Sequence, residues 1–112
     1  MPGYDTALDM LESPRVVADL APMLGDLMPG VKARLIAGRT PDSGLPVWLI
    51  DCPSLYRRAG SLYQDVDAHD WADNAWRFGV LCHAAARLSL GGASDGWRPA
   101  VVHCHDWHTG LV

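Results

Sequence analysis

At 112 residues the chain is long enough for one compact domain or a piece of one, and its 49% hydrophobic and 20% charged content excludes disordered and fibrous classes. A formal charge of −4, with nine scattered Lys and Arg, excludes a nucleic-acid footprint. No apolar run approaches the ~20 residues of a membrane span, and Met1-Pro2-Gly3-Tyr4-Asp5 lacks the order of a secretory leader, so the chain reads as cytoplasmic.

Met1 to Asp9 has no clean period, and Pro2-Gly3 marks irregular backbone. From Ser13 a helix is predicted, with Ser13 as cap, Pro14 in the first turn and Val16, Val17 and Leu20 on one face. Pro22 interrupts it and Met28-Pro29-Gly30 ends the segment. Two β-prone stretches follow, Val31 to Ala37 and Leu45 to Cys52, joined by a Pro-Asp-Ser-Gly turn that makes them neighbours. The continuous apolar run Val47-Trp48-Leu49-Ile50 fits a strand covered on both faces in an α/β sheet, which makes the loop after it a site-forming edge.

Residues 51–70 read as an ordered loop anchored by Leu55-Tyr56 and Leu62-Tyr63. The clearest helix is Trp71 to Leu90, with Trp71, Ala75, Phe78, Leu81, Cys82, Ala85 and Leu88 on one face, Asp70 as cap and Gly91-Gly92 as stop. After a short loop, Pro99 to Cys104 reads as a second buried strand. Strand, helix, strand is a βαβ crossover, which predicts an α/β fold with a parallel sheet. Cys52, Cys82 and Cys104 lack Cys-x-x-Cys spacing and are expected as reduced, mostly buried thiols.

The chemistry-bearing stretch is His103, His105, Asp106 and His108, at the carboxyl end of the predicted parallel strand, where open α/β sheets place their ligands. His103 alone reads as a hydrogen-bonded core histidine, and Trp107 as a residue packed against the following helix. A carboxylate with two imidazoles suits sugar hydroxyls, or a metal. The pattern is close to the His-x-His-x-Asp-His of zinc hydrolases, with the carboxylate displaced by one residue, so a zinc-dependent hydrolase using these four residues is one alternative. A non-catalytic α/β sugar-binding module is another.

Three stretches together resemble the bacterial glycogen synthase and plant starch synthase family of retaining glycosyltransferases: 51–57 (DCPSLYR), 70–78 (DWADNAWRF) and 97–111 (WRPAVVHCHDWHTGL). The resemblance covers nearly the whole chain and implies two facing Rossmann-like domains (a GT-B type fold). Residues 1–112 would form part of the N-terminal, acceptor-side domain. It further implies transfer of glucose from ADP-glucose to the non-reducing end of an α-1,4-glucan with retention, with no cofactor or metal required.

Carried over residue by residue, Asp106 is the catalytic-cleft carboxylate. Tyr63, His105, Trp107, His108, Asn74 and Arg77 are the substrate-binding candidates, with Tyr63 equally readable as a packed aromatic and Asn74 and Arg77 as helix-capping or loop-anchoring residues. Where the family loop reads Arg-Pro-Gly-Asn-Pro-Tyr, this chain has Arg58-Ala59-Gly60-Ser61-Leu62-Tyr63, and Ala100 stands where an Asp is usual. The Lys-x-Gly-Gly-Leu loop, the His of a His-Asn motif and the second domain fall outside these residues. The chain alone is therefore expected to be inactive, and its uncovered apolar end to invite self-association.

Overall fold

The computed structural model describes residues 1–25, 27–92 and 96–112. Its sheet has three strands in the order β1 (Glu12–Asp19), β2 (Arg34–Arg39), β3 (Pro46–Asp51), all antiparallel. Helices α1 (Asp5–Asp9), α2 (Ala21–Leu24), α3 (Pro53–Tyr56) and α4 (Asn74–Arg87) surround it. No helix among the described residues is long and apolar enough to cross a membrane.

The helix predicted from Ser13 is instead the edge strand β1. Ser13 has φ 51, which disqualifies it as a cap and bends the strand, and Pro14 is tolerated because an edge strand has one side without a ladder. Register shifts between Glu12 and Arg15 and between Val16 and Ala18 twist this edge away from further pairing. The helix begins after it. Asp19 Oδ accepts the Ala21 amide at 2.9 Å and Pro22 lies in the first turn of α2, so this proline starts a helix rather than interrupting one.

The hairpin β2–β3 is the one expected, in register from Arg34 opposite Asp51 to Arg39 opposite Pro46. A six-residue connection, residues 40–45, is too short for a parallel crossover and joins antiparallel neighbours, so it works against an all-parallel sheet. Asp51, 0% exposed, accepts Arg34 Nη2 from its cross-strand partner at 2.6 Å and Arg57 Nη2 at 2.8 Å, so the buried carboxylate is doubly compensated. The apolar run is covered on both sides, as predicted: Ile50 and Trp48 pack with Leu20, Leu35, Val80 and Leu81, while Val47 and Leu49 line a cavity shared with Ala7 of α1 and with Met10 just after it.

The opening residues, read as irregular, run alongside β3. Gly3 N donates to Ile50 O at 2.8 Å and Ile50 N to Met1 O at 2.9 Å, a parallel bridge at Pro2. Among the described residues it is the sole parallel pairing. The strand predicted over Pro99 to Cys104 is not formed: these residues have no ladder, and Val101 is 79% exposed. β3 has β2 on one edge and Met1–Gly3 on the other, so no free edge of β3 is left to receive a crossover strand. The expected parallel sheet is thus replaced by an antiparallel one, and the loop before Pro99 lies partly outside the described residues.

Helix α4 starts at Asn74 rather than Trp71. Asp70 forms an antiparallel bridge with Gln64 and the Trp71 amide donates to Tyr63 O at 3.0 Å, which holds 70–71 out of the helix, and Asp70 is not its cap. Its buried face runs through Phe78, Val80, Leu81, Cys82, Ala84 and Leu88, while Ala75 is exposed. A π turn at Leu88–Gly92 ends it at Gly91, whose φ of 88 suits glycine. Cys52 and Cys82 are buried and Cys104 is exposed, so two of the three thiols are where they were expected.

Candidate functional site

The site is built where the Pro53 to Tyr63 loop, the first turns of α4 and the turn at 106–110 meet. Phe78 is its hub. Its ring lies 5.9 Å from that of Tyr63, 5.1 Å from Trp107 and 5.5 Å from His108, and Tyr63 lies 6.1 Å from Trp107. These are edge and tilted aromatic geometries, favourable beyond area burial. The outer rings remain open to solvent, Tyr63 at 38% and Trp107 at 66% exposure. Trp107 therefore packs on the preceding helix, not a following one.

Asp106 sits at the tip with φ 65 and ψ 173, a region that residues other than glycine rarely occupy. Two contacts hold it there. Its own Oδ1 accepts the Trp107 amide at 2.7 Å, capping the 3-10 turn Trp107–Thr109, and Thr109 Oγ1 donates to His105 O at 2.7 Å. Among the described residues no other donor reaches the Asp106 carboxylate, which is exposed. His108 is half-buried and its Nδ1 is buried without a hydrogen-bond partner. Cys82 Sγ donates to His108 O at 3.3 Å and ties this turn to α4.

Of the predicted site residues, the fold brings together Tyr63, Trp107 and His108, with Asp106 adjoining them in sequence. His105 is turned elsewhere: its ring stacks on His103 at 4.3 Å, and both are exposed, so His103 is not a core histidine. Asn74 and Arg77 bind the loop backbone. Asn74 Nδ2 donates to Tyr63 O at 2.9 Å, Arg77 Nε to Leu55 O at 2.9 Å, and Arg77 Nη1 to Asn74 Oδ1 at 2.7 Å. Tyr56 Oη returns a bond to Arg77 O at 2.7 Å.

The departures from the family loop are absorbed locally. Ser61 Oγ accepts the Tyr63 and Gln64 amides at 3.3 and 3.0 Å, and Gly60 takes φ 133, where an added Cβ would lie 2.5 Å from Gln64 O.

One pair went unread in the sequence, Arg58 with Asp73. Arg58 Nη1 and Nη2 donate to the two carboxylate oxygens at 2.8 and 2.6 Å, and the guanidinium lies 5.1 Å from the Trp71 ring centre. Fifteen residues separate the two, so no local spacing reveals them. The Arg58 hydrogen bonds hold the Asp73 carboxyl below its usual range. A depressed carboxyl adds stability that is complete above the unfolded value, ~3.9, and lost as pH falls through the folded one. Between pH 7 and pH 3, the parent sequence is expected to lose more stability in urea unfolding than Asp73→Asn. Equal losses would show that the pair contributes nothing.

The zinc geometry is not met. Among the described residues, the set whose ligand atoms lie within 4.8 Å of one another is Asp65, Asp67 and His69, not the four residues at 103–108.

A family profile described as the starch synthase catalytic domain matches residues 1–112. The chain belongs to this family. It is 64% identical over 112 residues to a glycogen synthase of Burkholderia thailandensis, covering all of this chain and 20% of that protein. Glycogen synthases of Aromatoleum aromaticum and Paramagnetospirillum magneticum are 46% and 44% identical over 112 residues, with 22% of each covered. The chain thus spans about a fifth of the length of these curated relatives. None of these relatives is named a zinc hydrolase.

Proposed function

We propose that the protein carrying this chain is a cytoplasmic glucosyltransferase that moves glucose from ADP-glucose to the non-reducing end of an α-1,4-glucan with retention. Residues 1–112 form part of its acceptor-side Rossmann-like domain in a GT-B arrangement, in which Pro99 to Cys104 would find a parallel partner outside this chain. The observation that carries the reading is Asp106: a carboxylate held by its own turn in a strained backbone, exposed, and next to open aromatic rings. Strain that the surroundings maintain is a mark of a working residue.

In this reading Asp106 accepts hydrogen bonds from hydroxyls of the reacting sugar, and Tyr63 and Trp107 offer their faces to the CH groups of the glucan acceptor. The unpartnered His108 Nδ1 awaits a polar group. No cofactor is required. Leaving-group stabilisation has to come from elsewhere, because Arg57 is committed to Asp51, Arg58 to Asp73 and Arg77 to Leu55 O and Asn74.

The test is glucosyl incorporation from ADP-glucose into glycogen. The full-length protein is expected to be active and the 112-residue chain inert. Glycogen binding by the full-length protein without transfer from any nucleotide-glucose would overturn the enzyme reading in favour of a sugar-binding module.

A further inference from the structure

We infer that Asn74 and Arg77 do not touch substrate but are positioning residues: they set the orientation of the Tyr63 loop and through it the affinity for the glucan acceptor. This rests on the proposed role of Tyr63.

The argument begins with donor chemistry. An arginine guanidinium only donates hydrogen bonds, so the Arg77 Nη1 bond at 2.7 Å settles which end of the Asn74 amide is oxygen. The NH2 end is then obliged to face the other way, where it meets Tyr63 O at 2.9 Å. Arg77 is itself fixed: it is 2% exposed, its Nε holds Leu55 O at 2.9 Å, and its own carbonyl accepts Tyr56 Oη at 2.7 Å. The relay therefore runs from a buried anchor through one amide to the carbonyl of the residue whose ring flanks Trp107.

The Trp71 amide reaches the same carbonyl at 3.0 Å, so Tyr63 O takes two donors, one from the segment leading into α4 and one from its first residue. Arg58 and Asp73 clamp the middle of the loop to the same helix end. A loop that has Ala59 and Leu62 in place of two prolines lacks their stiffness. The relay adds, from outside the loop, to the hold that Ser61 Oγ exerts within it.

Asn74→Asp separates positioning from folding. The substituted carboxylate still accepts from Arg77 and suits a helix N-terminus, but it has no proton for Tyr63 O. In the full-length enzyme, assayed with maltoheptaose at saturating ADP-glucose, the half-saturating acceptor concentration is expected to rise about five-fold, with kcat within about two-fold and the thermal midpoint unchanged or higher. Tyr63→Ala, run alongside, is expected to raise the same constant at least as much.

If Tyr63→Ala weakens acceptor saturation and Asn74→Asp does not, the positioning role alone is overturned. If neither changes it, the proposed role of Tyr63 fails and the relay falls with it. A lowered thermal midpoint with kcat and half-saturation falling off together would make Asn74 merely structural and overturn the inference as well.

Discussion

Asp106→Asn in the full-length protein is expected to lower the turnover of glucosyl transfer by ~100-fold or more, with no loss of thermal stability. The substitution isolates charge from shape. Asparagine keeps the side-chain oxygen that accepts the Trp107 amide and has the shape of aspartate, so the turn at 106–110 survives. What disappears is the negative charge at the exposed tip, beside the open rings of Tyr63 and Trp107. Turnover at saturating ADP-glucose and glycogen, with a circular dichroism melt of the same preparation, checks both halves. Turnover within a few-fold of the parent would remove Asp106 from the catalytic role.

The largest effect on stability is expected from Arg77→Met, about 3–4 kcal/mol in urea unfolding. Two opposing effects have to be weighed. A buried guanidinium without a carboxylate in contact is costly to desolvate, and methionine removes that cost while filling much of the space. Against this, Leu55 O and the Asn74 amide lose a charged donor, each bond worth about 1.5–3 kcal/mol, and the guanidinium no longer lies over the Trp71 ring at 5.7 Å and the Phe78 ring at 5.9 Å. The Leu55 carbonyl is buried and main-chain, so it cannot turn to water, and the loss dominates. A variant within about 0.5 kcal/mol of the parent would show that the anchor is dispensable.

Both predictions turn on one structural arrangement: the start of α4 holds the loop from α3, and the loop presents Tyr63 to the Trp107 turn. Removing Arg77 loosens the base of this arrangement, changing Asn74 frees its middle, and changing Asp106 leaves it standing without its charge.

The residues of this arrangement were readable in the chain, but the contacts that join them were not. Family membership rested on the order and spacing of three stretches, 51–57, 70–78 and 97–111, which no fold is needed to see. The β2–β3 hairpin and the body of α4 were also visible, because a short turn between apolar runs and a three-and-four spacing are local signals. The helix predicted at Ser13 failed because its spacing also fits a bulged edge strand, and only pairing with β2 decides between them. The crossover strand at Pro99 failed for a related reason, since a strand exists only with a partner edge, and both edges of β3 are taken.

Within the site, the sequence determined which chemistry is present: the Asp106 carboxylate, the aromatic rings, and the amide and guanidinium three residues apart on one helix. Tertiary structure alone decided what each does. Bonds spanning 11, 15 and 22 residues, from Asn74 to Tyr63, Arg58 to Asp73 and Arg77 to Leu55, join groups whose separation carries no periodic signal. They turn two residues that resemble substrate ligands toward the loop backbone, Arg77 to the buried Leu55 carbonyl, which has to be satisfied by whatever donor the packing brings to it, and Asn74 to the carbonyl of Tyr63.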